Sequence, residues 1–139
     1  MPAAPTDGEP VYLDLTDALE LYAAIIDRTT AQAAAHLRDQ AALEGALSRP
    51  LAYDQYEDAD VFLQAAVLAH GIAETQPFVD GNKRLALVAM LTFLELAGYR
   101  IDASDAELAA WIVSLSARTA PAALAEHLRR TARRRTHGL

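Results

Sequence analysis

Apolar positions recur at helical spacing along most of the chain. Leu19, Tyr22, Ala23 and Ile26 fall at i, i+3, i+4 and i+7, one face of a helix. Thr16 is its expected N-cap, with Asp17 and Glu20 in a first turn where acids suit the dipole. Residues 11–15 alternate weakly and read as a short strand or an extended lead-in. The alanine-rich residues 31–35 fit more than one state. Asp39 is a second candidate N-cap, and the stripe Leu43, Ala46 and Leu47 is expected to end before Pro50. Residues 51–56 show no helical period. Residues 57–75 do, with Val61, Ala65, Leu68 and Ile72 on one face, widened by Phe62 and Ala69. Pro77 stops that helix. Residues 84–96 are almost wholly apolar, which predicts a helix buried on most sides, terminated at Gly98. Ser104 with Glu107 forms a capping box that starts a helix at Asp105, with Leu108, Trp111, Ile112 and Leu115 as its face. Trp111 is read there as a core anchor. Pro121 fits the first turn of a last helix, with Leu124 and Leu128 facing in. The pattern predicts an all-α single domain of about six to seven helices around one central helix.

Composition narrows the reading. A chain of 139 residues holds one domain with a real core. It has no cysteine, hence no disulfide framework and no cysteine-based zinc site. No apolar run is long enough to span a membrane. Residues 1–10 carry three prolines and two acids and read as a flexible N-terminal arm, not a signal peptide. A soluble, cytoplasmic protein is expected. The net charge of −7 argues against direct nucleic-acid binding. Five arginines crowd residues 129–135 and are read as cations complementing a helix C-terminus, followed by a basic tail over 133–139. The domain itself is placed at 11–132.

Candidate chemistry concentrates in residues 76–84, Gln-Pro-Phe-Val-Asp-Gly-Asn-Lys-Arg. A loop that runs straight into a helix presents free N–H groups and the positive end of the helix dipole, a ready phosphate site. Gly81 lets backbone approach a ligand without a Cβ in the way. Lys83 and Arg84 add positive charge, and Arg can grip phosphate with two parallel hydrogen bonds. Asn82 is expected to hold a phosphate or to shape the anion hole. Asp80 suits a hard cation such as Mg²⁺ that bridges phosphate oxygens. His70, in the apolar helix before the loop, is read as structural and not as a base.

These nine residues resemble the signature of the Fic/Doc family, H-x-F-x-[DE]-G-N-[GK]-R. Phe78, Asp80, Gly81, Asn82, Lys83 and Arg84 match it, and Lys83 is similar to the Doc (death-on-curing) branch. Residues 37–50 and 93–99 resemble the flanks of the same family, so that about residues 12–132 are covered. The resemblance implies a helical toxin of a toxin–antitoxin pair that uses ATP and Mg²⁺ to phosphorylate a hydroxyl of elongation factor Tu. It also implies an antitoxin that folds over the toxin. In the Fic branch the same scaffold transfers AMP. By the same resemblance, residues 51–56, with Tyr53, Asp54, Gln55 and Tyr56, match a flap beside the active site where a target segment lies down as a strand.

The departure is Gln76, which stands where the family has its histidine base. An amide does not titrate usefully and cannot be a general base, though it can donate and accept hydrogen bonds. Two readings of Gln76 stand: a single-base change that disarms a toxin, or a natural pseudoenzyme that binds nucleotide or antitoxin without chemistry.

Overall fold

The computed structural model describes residues 9–116 and 120–135. Seven helices and one two-stranded sheet form among them: α1 (Leu15–Ile26), α2 (Thr30–Ala35), α3 (Gln40–Glu57), α4 (Val61–Thr75), α5 (Asn82–Leu96), β1 (Tyr99–Ile101), α6 (Asp105–Ser116), α7 (Pro121–Thr131) and β2 (Ala132–Arg134). The domain is all-α, as the periodicity predicts. The centre is shared by two helices. α4 touches α3, α5, α6 and α7, while α5 packs on α1, α4, α6 and β1. The expected stripe Val61, Ala65, Leu68 and Ile72 is buried on α4, and Leu85, Ala86, Ala89, Met90, Phe93 and Leu94 are buried on α5. Gly71 lets α3 and α4 approach closely, since a Cβ there would lie 3.0 Å from that of Ala46.

Most starts and stops follow local chemistry. Asp39 caps α3 by accepting from the Ala42 amide at 3.0 Å. Ser104 and Glu107 close the expected box, and Pro121 opens α7. The cap of α1 differs from the expectation. Asp14, not Thr16, is the N-cap, and it exchanges bonds with Asp17 in a capping box. A carboxylate at that position reaches the third amide of the helix, so the helix begins one residue before Thr16. Residues 11–13 lead into α1 without regular secondary structure, and residues 30–35 settle as the short helix α2.

Three larger differences have tertiary causes. First, α3 does not stop at Pro50 but runs through it to Glu57. Pro50 extends the buried stripe of Leu43, Ala46 and Leu47, so its ring packs as an apolar side chain. That burial offsets the missing amide and the strain on the residue before it. The last turns are anchored by Gln64. This side chain is only 2% exposed, donates to Asp54 and to the Ala59 carbonyl, and accepts from the Tyr12 hydroxyl. Tyr53, Asp54, Gln55 and Tyr56 are therefore helical and form no flap. Second, the helix expected from residue 57 begins at Val61, because Asp58 adopts a left-handed conformation and Asp60 caps α4. Third, the basic tail is partly a strand. Arg133 pairs with Arg100 and Arg134 with Tyr99 in antiparallel register. Trp111 is half-buried at the edge of the core and stacks on His127 at 5.0 Å. Residues 1–8 of the expected arm and 136–139 of the tail lie outside the described residues.

Candidate functional site

The site is the turn between α4 and α5. Gln76 ends α4 as a left-handed C-cap, with φ 48° and ψ 61°, and its amide donates to the Ile72 carbonyl. Pro77 cannot continue the helix, and the chain turns. The neighbouring segment 36–39 then clamps the turn from outside. The Pro77 carbonyl accepts from the amides of Arg38 (2.8 Å) and Asp39 (3.0 Å), and the Val79 amide donates to the His36 carbonyl at 3.0 Å. Leu37 and Phe78 thereby form an isolated antiparallel bridge. The Arg38 guanidinium adds a bond to the Gln76 carbonyl at 2.8 Å.

From inside, Phe78 and Asn82 pin the loop. Phe78 is fully buried and stacks on Tyr22, ring centroids 3.8 Å apart. The Asn82 side chain brackets Phe78: its oxygen accepts from the Phe78 amide at 2.9 Å and its NH₂ donates to the Phe78 carbonyl at 3.0 Å. Of the two roles expected for Asn82, the bonds to Phe78 fit the second: buried and engaged in this way, its side chain shapes the loop and is not turned out to hold a phosphate. The Tyr22 hydroxyl donates to the Asp80 carbonyl (3.0 Å) and lies 3.3 Å from its Oδ1. Burial, and then the nearby Asp80 charge, push the Tyr22 phenol above its ordinary range. Tyr22 is the site residue that sequence reasoning missed; periodicity placed it on a buried face and carried no sign of its reach to Asp80.

Gly81 is the N-cap of α5 at φ 73°, and no side chain caps the helix behind it. The first-turn amides are thus left to whatever occupies the space in front of them. That space is a cleft of about 390 Å³ lined by Ala73, Gln76, Val79, Asp80, Gly81, Asn82, Lys83 and Arg84. Gln76, Asp80, Lys83 and Arg84 are exposed along it. The structure therefore brings six of the expected residues to one cleft and sets Phe78 beneath it. It does not bring the expected target residues there. Asp54 meets Gln64, which lies about 18 Å from the α4 end that carries Gln76 at the helical rise per residue. His70 pairs with Glu74 at 3.1 Å, a local contact within α4.

Chemically, the cleft offers helix-start amides and two cations to a polyanion and one exposed carboxylate at its edge. Among the described residues no cluster of three or more His, Cys, Asp or Glu could cage a metal. A single carboxylate fits Mg²⁺ that arrives with phosphate oxygens and water, which is how this ion is usually bound. No helix among the described residues is long and apolar enough to cross a membrane.

The chain is 39% identical over 69 residues to Toxin Doc of Mycolicibacterium smegmatis, an alignment covering 48% of this chain and 53% of that protein. The chain thus spans about half the length of the curated relative it matches. The model of the Fic/DOC family matches residues 12–94, which contain α1 to α4, the whole turn and most of α5. The chain belongs to the Fic/DOC family.

Proposed function

We propose that this protein is a Doc-like toxin scaffold of a toxin–antitoxin pair. Its cleft binds the polyphosphate of ATP, and its ancestral reaction is transfer of phosphate to a hydroxyl of a translation factor, elongation factor Tu by resemblance. The observation that carries the reading is the uncapped start of α5 facing a cleft with Lys83 and Arg84 exposed at its mouth. Phosphoryl transfer asks for positioning and charge neutralisation more than for covalent chemistry, and these groups supply both. The amides of the first turn and the two side chains hold the phosphates. Asp80, oriented by Tyr22, would hold Mg²⁺, which when bound neutralises phosphate charge. Gln76 lines the same cleft but cannot accept the proton of a target hydroxyl. The chain with Gln76 is therefore a nucleotide-binding scaffold without the family's base, and an antitoxin protein is its natural partner.

Two measurements test this. In titration calorimetry, ATP binds the wild-type chain and loses affinity in Lys83→Ala and Arg84→Ala, while Asp80→Asn weakens only the Mg²⁺-dependent part. Equal affinity in wild type and Arg84→Ala would discard the anion site. Gln76→His should then raise transfer to a protein hydroxyl by about 10²–10⁴-fold, the effect of one positioned base. Mass spectrometry of elongation factor Tu after incubation with ATP and Mg²⁺ reads the outcome. A phosphate adduct supports the kinase reading, and an AMP adduct transfers the proposal to Fic-type chemistry. No adduct, with nucleotide still bound, leaves a binding protein only.

A further inference from the structure

The Gln76 side chain has a setting that loss of a base alone does not explain. Its backbone is held at both ends, the amide by the Ile72 carbonyl and the carbonyl by Arg38. Its side-chain amide, in contrast, makes no hydrogen bond to any described residue and is exposed on the wall of the cleft, whose lining includes one acid, Asp80. A carboxamide on a fixed stretch of backbone, with a free donor and a free acceptor beside a phosphate site, can position a water for attack on phosphorus. In such a reaction the amide orients the nucleophile and takes no proton. We infer that Gln76 makes this cleft a nucleoside triphosphate hydrolase, with water in place of the protein hydroxyl; the inference rests on the reading of the cleft as a nucleotide site.

The step balances without any further reactant. The Gln76 Oε1 accepts from the attacking water, and its Nε2 donates to a γ-phosphate oxygen. The water oxygen forms a bond to the γ-phosphorus as the bond from that phosphorus to the β–γ bridging oxygen breaks. ADP leaves, and the water proton departs with the inorganic phosphate or to solvent. The amide orients the water and leaves its proton to go with the product phosphate, at a slower rate than a base at the same position would give. Water also reaches an exposed side chain at bulk concentration, whereas a protein hydroxyl has to be docked. Lys83 and Arg84 neutralise the charge that develops on the phosphates. The rate expected is that of an unassisted site of this kind, on the order of 10⁻⁴ per second.

The test uses the full chain with ATP and Mg²⁺, reading phosphate release by a coupled assay and the nucleotide product by chromatography. Wild type should yield ADP and inorganic phosphate in equal amounts. Gln76→Ala and Gln76→Gly, each assayed at an ATP concentration that calorimetry shows to saturate it, should release phosphate about 10- to 100-fold more slowly. The glycine variant guards against misfolding, because glycine accepts the left-handed backbone at residue 76 without strain. Arg84→Ala, purified identically, sets the background. Phosphate release by wild type no faster than that background despite bound ATP overturns the inference and leaves the nucleotide site standing. Equal release by Gln76→Ala also overturns it, as does AMP with pyrophosphate as the product. Absence of ATP binding by wild type overturns the site reading itself.

Discussion

Gln76, Tyr22 and Asn82 show how much of the site depends on single side chains. A left-handed backbone costs a non-glycine residue about 1–2 kcal/mol, and Gln76 bears that strain at the end of α4. Gln76→Gly is therefore expected to raise the unfolding free energy by about 1 kcal/mol, read by urea titration; an unchanged midpoint would show that the turn is not strained. Tyr22→Phe keeps the stack on Phe78 and removes only the hydroxyl that meets Asp80. Stability should fall by about 0.5–1.5 kcal/mol, and the Mg²⁺ dependence of nucleotide binding should weaken with it. A loss of stability with no change toward Mg²⁺ would confine Tyr22 to packing. Asn82→Ala leaves the buried amide and carbonyl of Phe78 without partners, at about 1–3 kcal/mol for each group. That destabilisation should be present in thermal melts without nucleotide, which separates a loop-shaping role from a ligand role.

At the scale of elements, the decisive contact is between α3 and α4. They run antiparallel, since Asp39 before α3 meets Pro77 after α4, and Asp54 near the end of α3 meets Gln64 near the start of α4. The approach is close at Gly71, where an added Cβ meets Ala46 Cβ at 3.0 Å and its Cα at 3.2 Å. A leucine there has to push the α3 backbone aside. Gly71→Leu should destabilise by about 1–3 kcal/mol despite leucine's better helix propensity, and circular dichroism melts will read it. Because α3 begins at the clamp on the motif turn, the same variant should also lower ATP affinity. Retained affinity would mean that the 36–39 segment holds its place independently of α3.

Across the whole molecule, Asp60 joins the start of α4 to α7. Its carboxylate caps α4 at the Leu63 amide, and Arg129 donates to it through Nε at 2.7 Å and Nη2 at 3.1 Å. Burial alone would push the Asp60 carboxyl up. The bonds from Arg129 and from the Leu63 and Phe62 amides outweigh it and hold the carboxyl below its ordinary range. A group lowered by folding stabilises above its unfolded value, 3.8 for this carboxyl, and loses that contribution as pH falls through the folded value. Asp60→Asn keeps a competent cap and removes the ion pair. At neutral pH it should cost about 0.5–1 kcal/mol, the usual scale for a partly exposed pair, and the difference from wild type should close below about pH 4. A gap that persists into acid would mean that Arg129 and Asp60 contribute through packing.

The features legible in the sequence are those whose causes lie within a few residues. Asp39, the Ser104–Glu107 box and Pro121 act on amides one turn away, and the stripes of α4 and α5 are periodic in themselves. The motif was legible for the same reason: Gln76, Asp80, Gly81, Lys83 and Arg84 are brought to one cleft by the turn that contains them. Tertiary structure decided the rest. Pro50 reads as a helix stop until the fold buries its ring, and Tyr53 to Tyr56 follow it into the helix. Arg133 and Arg134 read as tail until β1 gives them a partner more than thirty residues back in the chain. Tyr22 reads as core until the fold sets its hydroxyl against Asp80, 58 residues away. In each case the local pattern was satisfied by two conformations, and burial or a hydrogen bond from a distant segment chose between them.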